Sequence, residues 1–432
     1  MNTNHLTRRN FGQLAAASGI GWCASGWLPR FAAALAGNPE RKRSCILLWM
    51  SGGPSQTDTF YPKPGHANGG PFQTISTATP GLKIGEHLPL IAKETTHLAV
   101  VRSMATKEGD HGRATQHVRS GNLPQGPIEF PTIGSLIAKE REEFAGDLPG
   151  YVSIGSGFLG SSGLSAGFLG PQYAPLIVGG AGEGDADAAL RVQNLGLPSR
   201  VSPERAQTRF EMLREMEIEF QATRPGPAGR SHLSAYERAS RLMRGSAAEA
   251  FELAKEKPEL RDRYGRNRFG QGCLLARRLV ERNVPFVEVV LGGWDTHDDN
   301  FRKVKTLCET LDRGWATLVK DLRDRGLLES TLIVWMGEFG RTPAINPRQG
   351  RDHYPSAWSV ALGGGGIKGA SVLGRTSASG MGVDDRPVAV ADLLSTICLA
   401  LGIDPQKQNM SNVNRPIRIV DQSARPLREI LA

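Results

Sequence analysis

Six short apolar runs, each closed by turn-forming residues, constrain this chain more than any other feature. They are Cys45–Met50 (CILLWM), His97–Arg102 (HLAVVR), Tyr151–Ile154, Phe286–Leu291 (FVEVVL), Leu332–Met336 (LIVWM) and Trp358–Leu362. Runs this short, with little polar alternation, read as strands buried on both faces of a mostly parallel sheet. Between them lie long helical patterns at Glu204–Gln221, Ala235–Lys257, Gly270–Arg282, Phe301–Arg325 and Val390–Leu401. Strands alternating with helices predict an α/β fold, a mostly parallel central sheet flanked by helices. No Ser/Pro/Gly linker or low-complexity tract divides the middle, so one elaborated domain is expected over residues 37–432. It carries an Arg/Glu-rich helical insert from about 202 to 264, which either lies over a site as a lid or packs on one face of the sheet.

Residues 1–36 have a different character. A polar start carries Arg8-Arg9 with Phe11 two positions on, and an Ala/Gly-rich, weakly apolar run follows to Ala36. This pattern is expected to be a twin-arginine signal, with the translocase of that route as a transient partner and the periplasm or the exterior as the destination. Ala34-Leu35-Ala36 supplies the small-x-small pattern a signal peptidase accepts, with Gly37 as the new first residue. Gly19, Gly21, Gly26 and Pro29 interrupt the apolar part, which is too short and too weakly apolar for a span of about 20 residues, so no stable membrane span is expected in the mature chain.

Cleavage there removes Arg8, Arg9 and Arg30 and lowers the formal charge from +9 to +6. Apart from Arg41-Lys42-Arg43 the cations are scattered among acids, which speaks against nucleic acid as a partner and is compatible with an anionic substrate. Of five cysteines, Cys23 lies in the signal, and Cys45, Cys273, Cys308 and Cys398 are far apart in apolar stretches without a CxxC, so buried thiols are expected rather than disulfides.

Loops beyond the carboxyl ends of parallel strands collect functional residues. After the first run comes Ser51-Gly52-Gly53-Pro54-Ser55-Gln56-Thr57-Asp58, a glycine-rich turn ending in a carboxylate. After the second come Asp110-His111-Gly112-Arg113 and His117, two of the nine histidines within eight residues. Gly292-Gly293-Trp294-Asp295-Thr296-His297-Asp298-Asp299 follows the FVEVVL run, and residues two apart in an extended loop project to one side and can share an ion. Gly337-Glu338-Phe339-Gly340-Arg341-Thr342-Pro343 and then Gly350-Arg351-Asp352-His353-Tyr354-Pro355 follow the LIVWM run. Each residue alone reads equally well as a solvated loop residue or, for Asp299, a helix cap. Four such clusters, each behind a strand, point to one site. Histidine and carboxylate donors suit a divalent ion, with Zn, Mn, Mg and Ca all left open, rather than a thiolate-preferring metal.

Several segments together closely resemble the exported family of "domain of unknown function 1501". They are the twin-arginine start, MSGGPSQTDTF, the block from Arg263 to Phe301, GEFGRTP, GRDHYP and the closing DLLSTICLALGID. The resemblance runs from Thr7 to Leu431 and implies an alkaline-phosphatase/sulfatase-like fold. It also implies one or two divalent metals held by Asp and His beside a nucleophile near the second strand. His111 to Gly121 is similar to the sulfatase nucleophile signature, with His111 in the nucleophile's place. Asp295 stands like the first acid of an Asp-x-x-x-His pair, but Asp299 occupies the fourth position on. Glu338-Phe339-Gly340 resembles Asp-His-Gly, His353 resembles the last metal-binding His, and only Asp58 can replace the acid expected after the first strand. Asp392 reads as a helix N-cap.

Two functions follow as expectations. In the first, the chain is an exported metal-dependent hydrolase of an anionic ester, phosphate or sulfate. Asp58, Asp295, His297, Glu338, Asp352 and His353 hold metal, Arg113 or Arg341 grips the substrate oxygens, and His111, with His117 nearby, serves as base or nucleophile. In the second, a protein that keeps the fold without hydrolysis recognises anionic glycans or partner proteins.

Overall fold

The computed structural model describes residues 43–432 apart from 125, 145, 157–162, 180–189, 191, 193, 194, 198, 224–235, 244 and 245. The expected signal, with Arg8, Arg9 and the Ala34-Leu35-Ala36 cleavage pattern, lies outside the described residues. In chain order the elements that build the site are β1 (Ser44–Met50), β2 (Leu98–Met104), α1 (His111–Ser120), α2 (Ile133–Glu140), β3 (Tyr151–Ile154), β4 (Leu176–Val178), α3 (Pro203–Thr223), α4 (Arg268–Glu281), β5 (Phe286–Leu291), α5 (Asn300–Asp324), β6 (Thr331–Met336), β7 (Gly340–Arg341), β8 (His353–Tyr354), β9 (Trp358–Gly364), β10 (Ser371–Leu373) and α6 (Val390–Ala400).

Eight strands form one sheet in the order β10-β2-β9-β6-β1-β5-β3-β4. β1 lies at its centre, parallel to β5 and β6, with Cys45 opposite Phe286 on one side and Leu332 on the other. Only β9 runs antiparallel, against both β2 and β6. The fold is therefore α/β with a mostly parallel sheet, as the run pattern predicts. Alternate residues explain the unbroken apolar runs. Ile46, Leu48, Met50, Val287, Val289, Ile333 and Trp335 face one layer with α4 and α5, where Trp335 stacks on Trp315 at 6.1 Å. Cys45, Leu47, Trp49, Phe286, Leu332, Val334 and Met336 face the other layer with α2 and α6. Both faces are covered, so apolar residues stand at most positions.

A charged network inside this core positions α1. Glu288, in the middle of β5, is fully buried and accepts from Arg119 of α1 at 2.6 Å and from the Tyr151 hydroxyl at 3.0 Å. The Arg119 guanidinium also lies over the Trp49 ring at 4.3 Å. This anchors the last turn of α1 to the sheet while its first residue, His111, stands at the strand ends. Cys45, Cys273, Cys308 and Cys398 are buried free thiols. No helix among the described residues is long and apolar enough to cross a membrane.

The structure corrects two local expectations. Ala235–Lys257 is not one helix: a helical stretch over 236–242, Ser246–Glu249 and a 3-10 turn at Leu253–Lys255 share it, and Pro258 opens a further helix to Tyr264. Asp392 is not the N-cap of α6. The cap is Ala389, and Asp392 reaches back from the third helical position to accept from Ala389 N at 3.0 Å and from Arg425 N at 2.6 Å. Within the insert, Ala247, Ala250, Phe251, Leu253, Leu260 and Tyr264 join the α4–α5 layer, while α3 leaves Met212, Met216 and Ile218 more than half exposed.

Candidate metal centre

The ends of β5, β1 and β6 are joined through backbone that only glycine permits. Gly52 has φ +113°, and a Cβ there would lie 2.4 Å from Asp295 N. Its N–H donates to Glu338 Oε1 at 2.9 Å, and Trp294 N donates to Ser51 O at 3.2 Å. The loop after β5 is held from the far side by residues 346–351. Asn346 Nδ2 donates to His297 O at 2.9 Å, Arg351 N to Thr296 O at 3.0 Å, and Gly350 approaches so closely that a Cβ would lie 1.9 Å from His297 O. The β7–β8 ladder then sets His353 opposite Arg341. Asp110 caps α1 by accepting from Arg113 N at 2.9 Å, which makes His111 the first helical residue.

Three imidazoles converge on one carboxylate oxygen. The Nε2 atoms of His297, His353 and His111 lie 3.0, 3.2 and 3.4 Å from Asp295 Oδ1, and those of His297 and His353 are 3.0 Å apart. Each opposite nitrogen, Nδ1, faces an acceptor: Glu338 Oε1 at 2.7 Å from His111, Asp352 Oδ1 at 2.6 Å from His297, and the Gly109 carbonyl at 2.8 Å from His353. A carboxylate or carbonyl only accepts, so each Nδ1 is placed to donate, and a ring in its neutral form then turns an Nε2 lone pair inward. Lone pairs 3.0 Å apart beside a carboxylate repel unless a cation sits among them.

The hydrogen bond to Glu338 holds His111 above the ordinary histidine range in spite of desolvation, while burial lowers His353. Burial alone would raise Asp295, but hydrogen bonding to Arg341, with the charges of Arg341, His111 and His297, outweighs it and brings the carboxyl to about 2. Asp352 is held low chiefly by its hydrogen bond to His297.

The donor set fits a divalent ion. Nitrogen and oxygen ligands about 2.0–2.2 Å from a tetrahedral ion stand roughly 3.3 Å apart, close to the spacings here. The group whose donor atoms all lie within 4.8 Å of one another comprises His111, Asp295 and His353, and His297 adjoins it, 3.0 Å from both Asp295 Oδ1 and His353 Nε2. Three carboxylates, one guanidinium and three neutral imidazoles carry a net charge of −2, which one divalent ion neutralises. The partners on Nδ1 are what a metal-bound imidazole requires to stay oriented and basic.

The structure thus brings together His111, Asp295, His297, Glu338, Arg341, Asp352 and His353, with several changes of part. His111, expected as base or nucleophile, points the same nitrogen inward as His297 and His353. Glu338 and Asp352, expected as ligands, stand behind the histidines. Arg341, expected to grip a substrate, is fully buried, donating to Asp295, to the carbonyls of Gly52 and Gly53 and, at 3.2 Å, to that of Arg351. Asp58 is no ligand: both its oxygens are taken by Arg351, at 2.8 and 2.9 Å, and Oδ2 also accepts from Asn300. Arg113 is half exposed and paired with Glu108 at 2.7 Å. His117 takes no part in the cluster, and its buried Nδ1 has no hydrogen-bond partner among the described residues. Residue types alone do not point to Asn346, which holds both His297 and Asp352, or to the Gly109 carbonyl.

No curated protein matches this chain in sequence. Among solved structures it is similar to PsFucS1 sulfatase from Pseudoalteromonas sp., with 16% identity over 87% of this chain and 72% of that one and a TM-score of 0.43. It is also similar to a protein in the alkaline phosphatase superfamily from Vibrio parahaemolyticus, with 10% identity over 87% and 74% and a TM-score of 0.40. The family model described as "Protein of unknown function (DUF1501)" matches residues 42–431.

Proposed function

This chain belongs to the DUF1501 family of proteins of unknown function, and we propose that it is an exported hydrolase of anionic phosphate or sulfate esters that depends on one divalent metal ion. The observation that carries this reading is the set of three Nε2 atoms turned onto Asp295 Oδ1, each ring with its Nδ1 against an acceptor. His111, Asp295 and His353 would hold the ion, with His297 as the adjoining donor, and imidazole-rich donors favour Zn over Mn, Mg or Ca. When bound, such an ion polarises an ester oxygen and lowers the pKa of water.

The chain's own residues do the rest. Glu338, Asp352 and the Gly109 carbonyl fix the ring orientations, and Arg341 holds Asp295. The Arg341 charge leaves the loaded centre neutral, so an anionic substrate oxygen meets no net repulsion. The first residue of α1 is in the cluster, and the amino end of a helix favours negative charge. The four inward-facing side chains are each about a quarter to a half exposed, which leaves room for a substrate.

One observation favours the second reading, a binding protein that retains the centre without turnover. Among the described residues the Thr342 hydroxyl meets the cluster only at the main chain, accepting from Asp352 N at 2.9 Å, and no Ser or Cys side chain hydrogen-bonds to the inward-facing atoms of His111, Asp295, His297 or His353. Elemental analysis of the mature protein purified without chelator, with His297→Ala and His353→Ala in parallel and aryl phosphate and sulfate esters as substrates, separates the readings. Stoichiometric metal lost in both variants, with turnover in the parent, supports the hydrolase. Metal without turnover supports the binding protein, and no metal sinks both metal-centred forms. Export is tested by replacing Arg8 and Arg9 with Lys, which should retain the precursor in the cytoplasm.

A further inference from the structure

Two cations share the ring of Tyr61. Lys63 Nζ lies 3.6 Å from its centroid and the Arg102 guanidinium carbon 4.2 Å. Neither cation has a carboxylate within 4.0 Å among the described residues. Arg102 donates through one terminal nitrogen to Lys83 O at 3.3 Å, and its buried Nε has no hydrogen-bond partner there. Desolvation and the neighbouring guanidinium pull Lys63 down to about 8, with Asp384 acting weakly in the other direction. Holding two partly buried cations together without a paired carboxylate costs free energy that a bound anion would recover.

Their place in the fold gives the pair a use. Arg102 lies near the carboxyl end of β2, the strand whose loop leads to Gly109 and His111, and Lys63 follows the turn that leaves β1. The loop of residues 377–382 touches both Lys63 and the β7–β8 segment. A Cβ on Gly380 would lie 3.5 Å from Lys63 Cε and 3.2 Å from Pro343, Asn68 Nδ2 donates to Ser379 O at 2.8 Å, and the hydroxyl of Tyr354, next to His353, donates to Met381 O.

We propose that Lys63 and Arg102, stacked on Tyr61, form an oxyanion-binding subsite beside the metal centre that takes a second acidic group of the substrate, a sulfate, phosphate or carboxylate. The subsite needs no metal, whereas its use by substrate rests on the hydrolase reading. The fork of Arg102 and the point charge of Lys63 suit an anion presenting two or more oxygens.

The probe is inorganic sulfate, titrated by calorimetry into chelator-treated full chain against chloride at equal ionic strength. The expected result is one saturable site whose occupation takes up protons near pH 8, because the anion returns Lys63 to its charged form. In Lys63→Met, affinity falls about tenfold, the scale of one charge-assisted hydrogen bond, and the proton uptake vanishes. Arg102→Gln gives the same loss of affinity. Absence of saturable binding in the parent, or Lys63→Met binding sulfate as the parent does, overturns the subsite. For the substrate role, an ester with a second anionic group should lose about tenfold more kcat/KM in Lys63→Met than one without it. Equal losses overturn that role. No turnover of any ester sinks the hydrolase reading alone, because the sulfate titration still decides the subsite.

Discussion

Replacing Asp352 with Asn separates a metal centre from a merely hydrogen-bonded cluster. Asp352 Oδ1 accepts the His297 Nδ1 proton at 2.6 Å, and its side chain is 51% exposed. The amide oxygen can still accept that proton, so the ring keeps its orientation but loses the charge that makes Nε2 a stronger donor. Loss of such a partner weakens metal binding by about 10–100-fold, or about 1.4–2.7 kcal/mol. The metal-free fold should barely respond, because a hydrogen bond between side chains this exposed contributes about 1 kcal/mol or less, and its melting point should move by no more than about 2–4 °C. The metal-loaded protein should lose the larger amount, since stabilisation by a ligand follows its dissociation constant. Competition with a chromophoric chelator measures the affinity, and melting with and without metal measures both stabilities. If the Asp352→Asn variant binds metal as tightly as the parent while its metal-free form melts markedly lower, Asp352 is a structural hydrogen-bond partner and the account of the centre is wrong.

Three further outcomes follow from the same geometry. Asp58→Asn removes the charge facing Arg351 from a pair in which both side chains are 0% exposed, so denaturant unfolding should show a loss of about 3–5 kcal/mol while metal per folded chain stays unchanged. Metal affinity should fall on acidification, because the Nε2 atoms bind metal only when deprotonated. His111 is raised by Glu338, so the loss begins above the ordinary histidine value of about 6.5, and Glu338→Gln moves it to lower pH in a titration of affinity against pH. Gly52→Ala forces a Cβ against Asp295 N at φ +113°, at a cost of roughly 1–3 kcal/mol, and should separate the β1 turn from the β5 loop, so both melting and metal binding suffer.

What the sequence reveals of this protein depends on whether the deciding interaction is local. The six strands are legible because burial on both faces leaves few polar positions to interrupt the run, and Cys45–Met50 or Leu332–Met336 need no partner to be recognised. Helix α1 is not legible: HGRATQHVRS has little apolar periodicity, and its place follows from Asp110 at one end and the Arg119–Glu288 pair, 169 residues apart in the chain, at the other. The site divides the same way. Histidines and acids behind strands mark where chemistry gathers, but an imidazole becomes a ligand only when something fixes its tautomer. For His111 that partner is Glu338, 227 residues away, for His297 it is Asp352, 55 away, and for His353 it is a main-chain carbonyl 244 away that no residue type announces. The same acids therefore read as ligands from the chain and stand as hydrogen-bond partners of the histidines in the fold. Asp58 shows the converse, a carboxylate in the right loop whose oxygens are consumed by an arginine one position before Asp352. That pairing ties the turn after β1 to the loop bearing Asp352 and His353, so an acid with no place among the ligands still holds in register the segment that supplies two of the centre's residues.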